Sequence, residues 1–128
     1  MKTASKRRGA ATVEFALAAP VLVLLLLGLL ETGRLINANQ AVLNASREGA
    51  RRGAVAGVTT AQVNTLVRDC LTASGYPGSL AQVTPVLTSE SITVTVSLAN
   101  EHFSLIPLRT VGLSAQAVTV MRREATSL

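Results

Sequence analysis

The chain has 128 residues, 48% of them hydrophobic but only 2% aromatic, and a formal net charge of +5. That length holds one domain, and a single cysteine, Cys70, excludes an intrachain disulfide. Four of the 12 basic residues (Lys2, Lys6, Arg7, Arg8) precede Ala10, leaving 8 basic against 7 acidic side chains beyond it. A nucleic-acid protein spreads positive charge over a face and adds stacking aromatics, so nucleic acid is not an expected partner.

The first element follows this basic cluster. Phe15–Leu30 carries no charge and is bounded by Glu14 and Glu31. Counted from Ala10, the run makes about 31 Å of helix, the thickness of the hydrocarbon core of a bilayer. Residues 10–30 are therefore expected to lie in membrane lipid. Pro20 lacks an amide hydrogen and should kink or loosen the helix there. The positive flank holds the N-terminus in the cytoplasm, which puts the rest of the chain across the membrane. Secretory cleavage is not expected. The triplets after the apolar core, Glu31-Thr32-Gly33, Ile36-Asn37-Ala38 and Asn39-Gln40-Ala41, all lack the pair of small residues such a cut needs. Glu14 is the anomaly, because an ionised carboxylate at the rim of a span is costly unless something matches it.

Past Leu30 the pattern stays helical while turning polar, and no proline falls between Pro20 and Pro77. One long helix is predicted from about Ala11 to Val55. Within it Ala41, Ala45, Gly49, Gly53 and Gly57 recur every fourth residue, near one face. Such a strip either lets another backbone approach closely or, at Gly53 and Gly57, ends the helix. In "REGARRG" (Arg47–Gly53), Glu48 and Arg52 are spaced as an i,i+4 pair, worth about 0.2–0.5 kcal/mol on a solvated face. A partner-binding surface is the other reading of that block.

Thr59 and Gln62 form a capping-box pattern ahead of Val63, Leu66, Val67, Cys70 and Leu71 at helical spacing, and Gly75 and Pro77 stop the helix. Cys70 reads as a packed apolar thiol, or as an intermolecular bridge in an oxidising space. The period then becomes two. "SITVTVSL" alternates Ile92, Val94, Val96 and Leu98 with Ser and Thr, a half-buried strand. Gln82–Thr88 is its hairpin partner, turning near Ser89-Glu90, and Pro85 assigns that partner to a sheet edge. Leu113–Met121 is the third strand, and Phe103–Ile106 before Pro107 is ambiguous. The fold class is α+β: a long N-terminal membrane-spanning helix, a short second helix and a small antiparallel sheet.

Chemistry is thin. His102 and Cys70 have no third orienting group, no second His or Cys gives metal-ligand spacing, and no glycine-rich loop joins a strand to a helix. No enzyme activity, metal or cofactor is expected.

"RRG-AATVEF" resembles the processing site of type IV prepilins and pseudopilins: a basic leader ending in Gly, a small residue, then Glu at the fifth mature position. "TVEFALAAP" (Thr12–Pro20), "SREGARRGA" (Ser46–Ala54) and "VMRRE" (Val120–Glu124) are similar, more particularly, to the TadE-like pseudopilins of tight-adherence (Flp-type) type IVb pili. The resemblance implies a pilin-like fold and a leader at 1–9 that a prepilin peptidase removes between Gly9 and Ala10. It further implies a transmembrane part at 10–30 and an extracytoplasmic domain at 31–128. Glu14 would then meet the new α-amine of Ala10, within one subunit or between staggered subunits. Otherwise it lies at headgroup level beside Arg7 and Arg8. The implied partners are the peptidase, other pilin or pseudopilin subunits and the inner-membrane pilus assembly platform. The implied place is the bacterial inner membrane or a surface pilus. The alternative is an uncut single-pass anchor presenting a binding domain to the periplasm or the cell exterior.

Overall fold

Residues 4–99 and 114–124 are described by a computed structural model, with side chains from Gly9 onward. The order is α1 (Ala4–Gly53), α2 (Thr60–Ala73), a single 3-10 turn at Gly78–Leu80, then β1 (Gln82–Leu87), β2 (Ser91–Ala99) and β3 (Ser114–Arg122). The long helix starts earlier than the expected Ala11, because nothing between Ala4 and Gly9 forbids helical backbone. It ends at Gly53, two residues short of Val55, and continues through Pro20 without interruption. The chain divides into two compact units, residues 1–33 and 34–128.

In the first unit the helix is apolar on every side. Phe15, Leu17, Leu24 and Leu29 are each about 70% exposed, at 71, 73, 68 and 70%. Toward the end of this stretch Thr32 Oγ1 donates to the Gly28 carbonyl at 2.9 Å, inside its own helix.

The second unit has a core. On α1 the buried positions are Ala38, Ala41, Val42, Ala45, Ser46, Gly49, Ala50 and Gly53, while Asn39, Gln40, Asn44 and Arg47 face water. This is the spacing of a single helical stripe. Val63, Val67 and Leu71 of α2 and Ile92, Val94, Val96 and Leu98 of β2 are fully buried in the same cluster. The α2 cap is the expected box: Thr59 Oγ1 accepts from the Gln62 amide and Gln62 Oε1 from the Thr59 amide. Its end is a Schellman motif, with Gly75 at φ +84° and bonds from Gly75 N–H to Thr72 O and from Tyr76 N–H to Leu71 O, both 3.0 Å.

The sheet order is β1-β2-β3, antiparallel throughout. Pro85 therefore does sit on an edge strand, paired with Val94. β1 stops at Leu87 rather than Thr88, because the Thr88 amide closes a two-residue turn onto Ser91 O at 2.8 Å. β3 occupies Ser114–Arg122, one residue beyond the predicted Met121; Leu113, Phe103–Ile106 and His102 lie outside the described residues.

Candidate functional site: the N-terminal helix and its small-residue stripe

Gly9, Ala10, Glu14 and Pro20 all lie on α1 in the first unit, and all four are exposed. Nothing stands within 4 Å of where a Cβ on Gly9 would be. The Gly9–Ala10 bond is thus open to an approaching molecule, but it is helical, and a protease cleft requires extended backbone. Glycine lowers the cost of unwinding there by about 0.5–1 kcal/mol relative to alanine. Ala10 and Glu14 are four residues apart, about 6 Å along the axis. Among the described residues Glu14 has no ion-pair partner.

The surroundings of this segment are decisive. The helix is long and apolar enough to cross a membrane, and among the described residues none of its most apolar stretch is buried. A core helix of similar composition would be covered by neighbours. Leaving this much apolar surface in water is strongly unfavourable at about 25 cal/mol per Å², so the segment has the properties of a membrane anchor.

The small residues at 41–53 do something else. Ala41 and Ala45 are buried, and Gly49 and Gly53 come closest to their neighbours. A Cβ on Gly49 would collide with Val67 Cγ2 and lie 3.5 Å from methyls of Val63 and Val94. One on Gly53 would collide with Ile92 Cδ1 and stand 3.0 Å from Val63 Cγ2. What fills the strip is the branched side chains of α2 and β2 rather than another backbone. Gly57 stands apart from the other four: it follows the helix, is exposed, and has φ +82° with nothing within 4 Å. Its place in the four-residue repeat is incidental to packing, and it serves a turn.

In the Arg-Glu-Gly-Ala-Arg block the ion pair is Glu48–Arg51 at 2.8 Å, not Glu48–Arg52. Spacings of three and four both bring side chains together, and here a second contact, Arg51 Nε to Glu48 Oε2 at 3.1 Å, makes the nearer arginine bidentate. The hydrogen bond from Arg51 holds the Glu48 carboxyl below its usual range, and the same bond raises Arg51. Arg52 instead lines an open groove of about 430 Å³ with Ala61, Gln62, Thr65, Leu66 and Asp69. Cys70 is half-buried, and desolvation, then the Glu48 and Asp69 carboxylates, push its thiol up. It is therefore a weak nucleophile.

Three structural contacts escaped the sequence reading. Ser46 is fully buried, donating to the Leu43 carbonyl at 2.9 Å and sharing a 2.7 Å hydrogen bond with Thr119 of β3. Its signal was a hydroxyl inside an otherwise apolar stripe. Arg68 bonds the Gly78 and Ser79 carbonyls at 3.3 and 2.6 Å, tying the 3-10 turn to α2. After β3, the Arg123 amide bonds Glu90 O at 2.8 Å and the Glu124 amide bonds Ala54 O at 3.0 Å. The Arg-Arg-Glu ending thus joins the β1–β2 turn to the exit of α1.

Taken together, an unburied apolar helix and a small α+β domain define a protein built to be held at its N-terminus by a membrane. The family model described as TadE-like protein matches residues 9–51, so the chain carries the TadE-like segment that its sequence resembles. That match begins at Gly9, contains Glu14, Pro20 and the Arg-Glu-Gly-Ala-Arg block, and covers α1 only. Neither the curated proteins nor the solved structures contain a match to the chain.

Proposed function

We propose that the chain is a pseudopilin or minor pilin acting in assembly of a tight-adherence type IVb pilus. The observation that carries this reading is the coincidence of the TadE-like match, starting at Gly9, with an apolar helix that is left unburied among the described residues. The protein inserts in the inner membrane with its N-terminus in the cytoplasm, drawn there by Lys2, Lys6, Arg7 and Arg8. A prepilin peptidase unwinds the glycine and cuts after it. The cut converts a basic tail into a single α-amine on Ala10, one turn from Glu14.

In low dielectric an amine and a carboxylate are each costly alone, and pairing recovers much of that cost. Within one helix, Glu14 also lies near the new N-terminal end of the helix dipole, where a negative charge is favoured. Between staggered subunits, Glu14 of one meets the amine of the next and sets the axial register. The chemistry is done to this protein rather than by it, and its partners are the peptidase, neighbouring pilin subunits and the assembly platform.

The test uses two variants. Glu14→Ala should be trimmed to Ala10 like the wild type, yet fail to join a filament or assembly complex. Gly9→Val should stay uncut. Normal assembly by Glu14→Ala would remove the carboxylate from the account, and normal assembly by uncut Gly9→Val would favour an uncut anchored binding domain.

A further inference from the structure

Stretches of α1 differ in what can replace a broken backbone hydrogen bond. Up to Leu30 the helix is apolar all round, and in lipid no water can take over an amide or a carbonyl, so those bonds hold. From Ala38 onward the buried stripe ties the helix to α2 and β2, starting with Ala38 at 0% exposure. Glu31–Asn37 lies between these two media. None of its residues is buried, Ile36 is 53% exposed, and Leu35 is the first to pack against the core cluster. Water reaches this turn, so opening it costs little beyond the helix's own preference.

Gly33 sits in that interval and weakens it. At Gly49 and Gly53 a Cβ would collide with Val67 and Ile92, so contact accounts for those glycines. At Gly33, among the described residues, nothing stands within 4 Å of a Cβ. Packing does not account for this glycine, and its effect is to loosen the helix relative to alanine. Thr32 adds to that effect. Its hydroxyl bonds the Gly28 carbonyl at 2.9 Å, a competition with the helix amide that bends and mildly destabilises helices. The division of the chain into two compact units falls at the same place, between Gly33 and Arg34.

We infer that Glu31–Arg34 is a joint in α1, a turn whose hydrogen bonds open and reclose while the helix on either side stays intact. The bonds concerned run from the amides of Arg34, Leu35, Ile36 and Asn37 to the carbonyls four residues earlier. Opening them disturbs none of the fully buried core, which starts at Ala38. Such a joint keeps a change in the surroundings of the anchor from being transmitted to that core. The inference depends on the membrane anchor and not on the pilus reading.

The test is native-state amide exchange of the full chain in detergent micelles at increasing denaturant. The amides of residues 34–37 should exchange roughly a hundredfold faster than those of Val42, Ala45 and Ala50, at a rate that barely responds to denaturant, the mark of local opening. The core amides should follow the steep dependence of unfolding. Gly33→Ala should slow residues 34–37 by about fivefold, the factor that glycine costs against alanine inside a helix. Gly28→Ala, on the lipid side, should leave them as they are. Protection of residues 34–37 equal to that of the core, with the same steep response to denaturant, would overturn the inference, because something else then supports this turn. So would a Gly33→Ala variant that leaves their exchange unchanged. A Gly28→Ala variant that slows it as much would also overturn it, by placing the weakness in the lipid segment.

Discussion

Before Gly33 and after Arg34, α1 is one helix in two solvents. The first part exposes Leu and Val in every direction, Leu22 through Leu26 being 52–68% exposed. The second buries a stripe of small and apolar residues from Ala38 to Gly53, with Ala38 at 0% and Ala41 at 7%, and leaves Ile36 outside it at 53%. Helix propensity does not separate the two parts. What separates them is where water must be excluded: the first requires an apolar medium all round, while the second supplies its own through α2 and β2. The small residues belong to the second part because branched side chains press against it, whereas lipid would accept any bulk.

The largest effect that breaks this contrast comes from matched truncations. Leu98→Ala, at a site with 0% exposure, should lower the unfolding free energy of the domain by about 2–5 kcal/mol. Leu24→Ala, at 68% exposure, should leave it within roughly 0.5 kcal/mol. Denaturant titration of the full chain in micelles, followed by far-UV circular dichroism, reads both. A loss at Leu24 as large as at Leu98 would mean that the first part is packed against protein.

The reverse operation, placing a charge in the first part, comes next. Leu25→Arg should oppose insertion by about 2.5–3.5 kcal/mol, seen as loss of the protein from the carbonate-resistant membrane fraction. Retention there would show that this stretch does not span.

A smaller effect sharpens the account of the stripe. Gly49→Ala gains about 1 kcal/mol in helix propensity but drives a methyl into Val67, a stiff side chain with one favoured rotamer, and overpacking costs about 1–3 kcal/mol. Gly53→Ala meets chiefly the far end of Ile92, which can turn aside. Thermal unfolding should therefore rank Gly49→Ala below Gly53→Ala in stability. The opposite order would mean that the stripe is not set by contact with α2.

The smallest effects concern protonation. Cys70 has its folded pKa raised, so the folded state holds the thiol proton more tightly than the unfolded chain. Its contribution is present below the unfolded thiol pKa and is lost as pH rises through the folded one. Iodoacetamide should accordingly label Cys70 more slowly in the folded protein than in denaturant across the mildly alkaline range. Equal rates would place the thiol in water.

Much of the fold was legible because its signals were local. The Thr59–Gln62 box, the Gly75 stop, the two-residue alternation from Ser91 to Leu98 and the proline that marks β1 as an edge all depend on neighbours in sequence. The contacts that were not legible depend on neighbours in space. Glu48 had two arginines within reach and only the folded geometry selects Arg51. Ser46 is buried because Thr119, far away in sequence, stands opposite its hydroxyl. Gly57 matched a spacing whose physical basis had ended with the helix at Gly53. The N-terminal motif belongs to the legible kind. Gly9, Ala10 and Glu14 lie along one linear segment that is helical and exposed, so the role proposed for them rests on sequence neighbours alone.

The central claim is that this segment is made to be cut, and intact-mass measurement of the protein from its own cells, with and without the prepilin peptidase, tests it most directly. The account predicts a chain that begins at Ala10 when the peptidase is present and retains residues 1–9 when it is absent. A chain that keeps its leader in peptidase-containing cells, and still supports filament assembly, would contradict it.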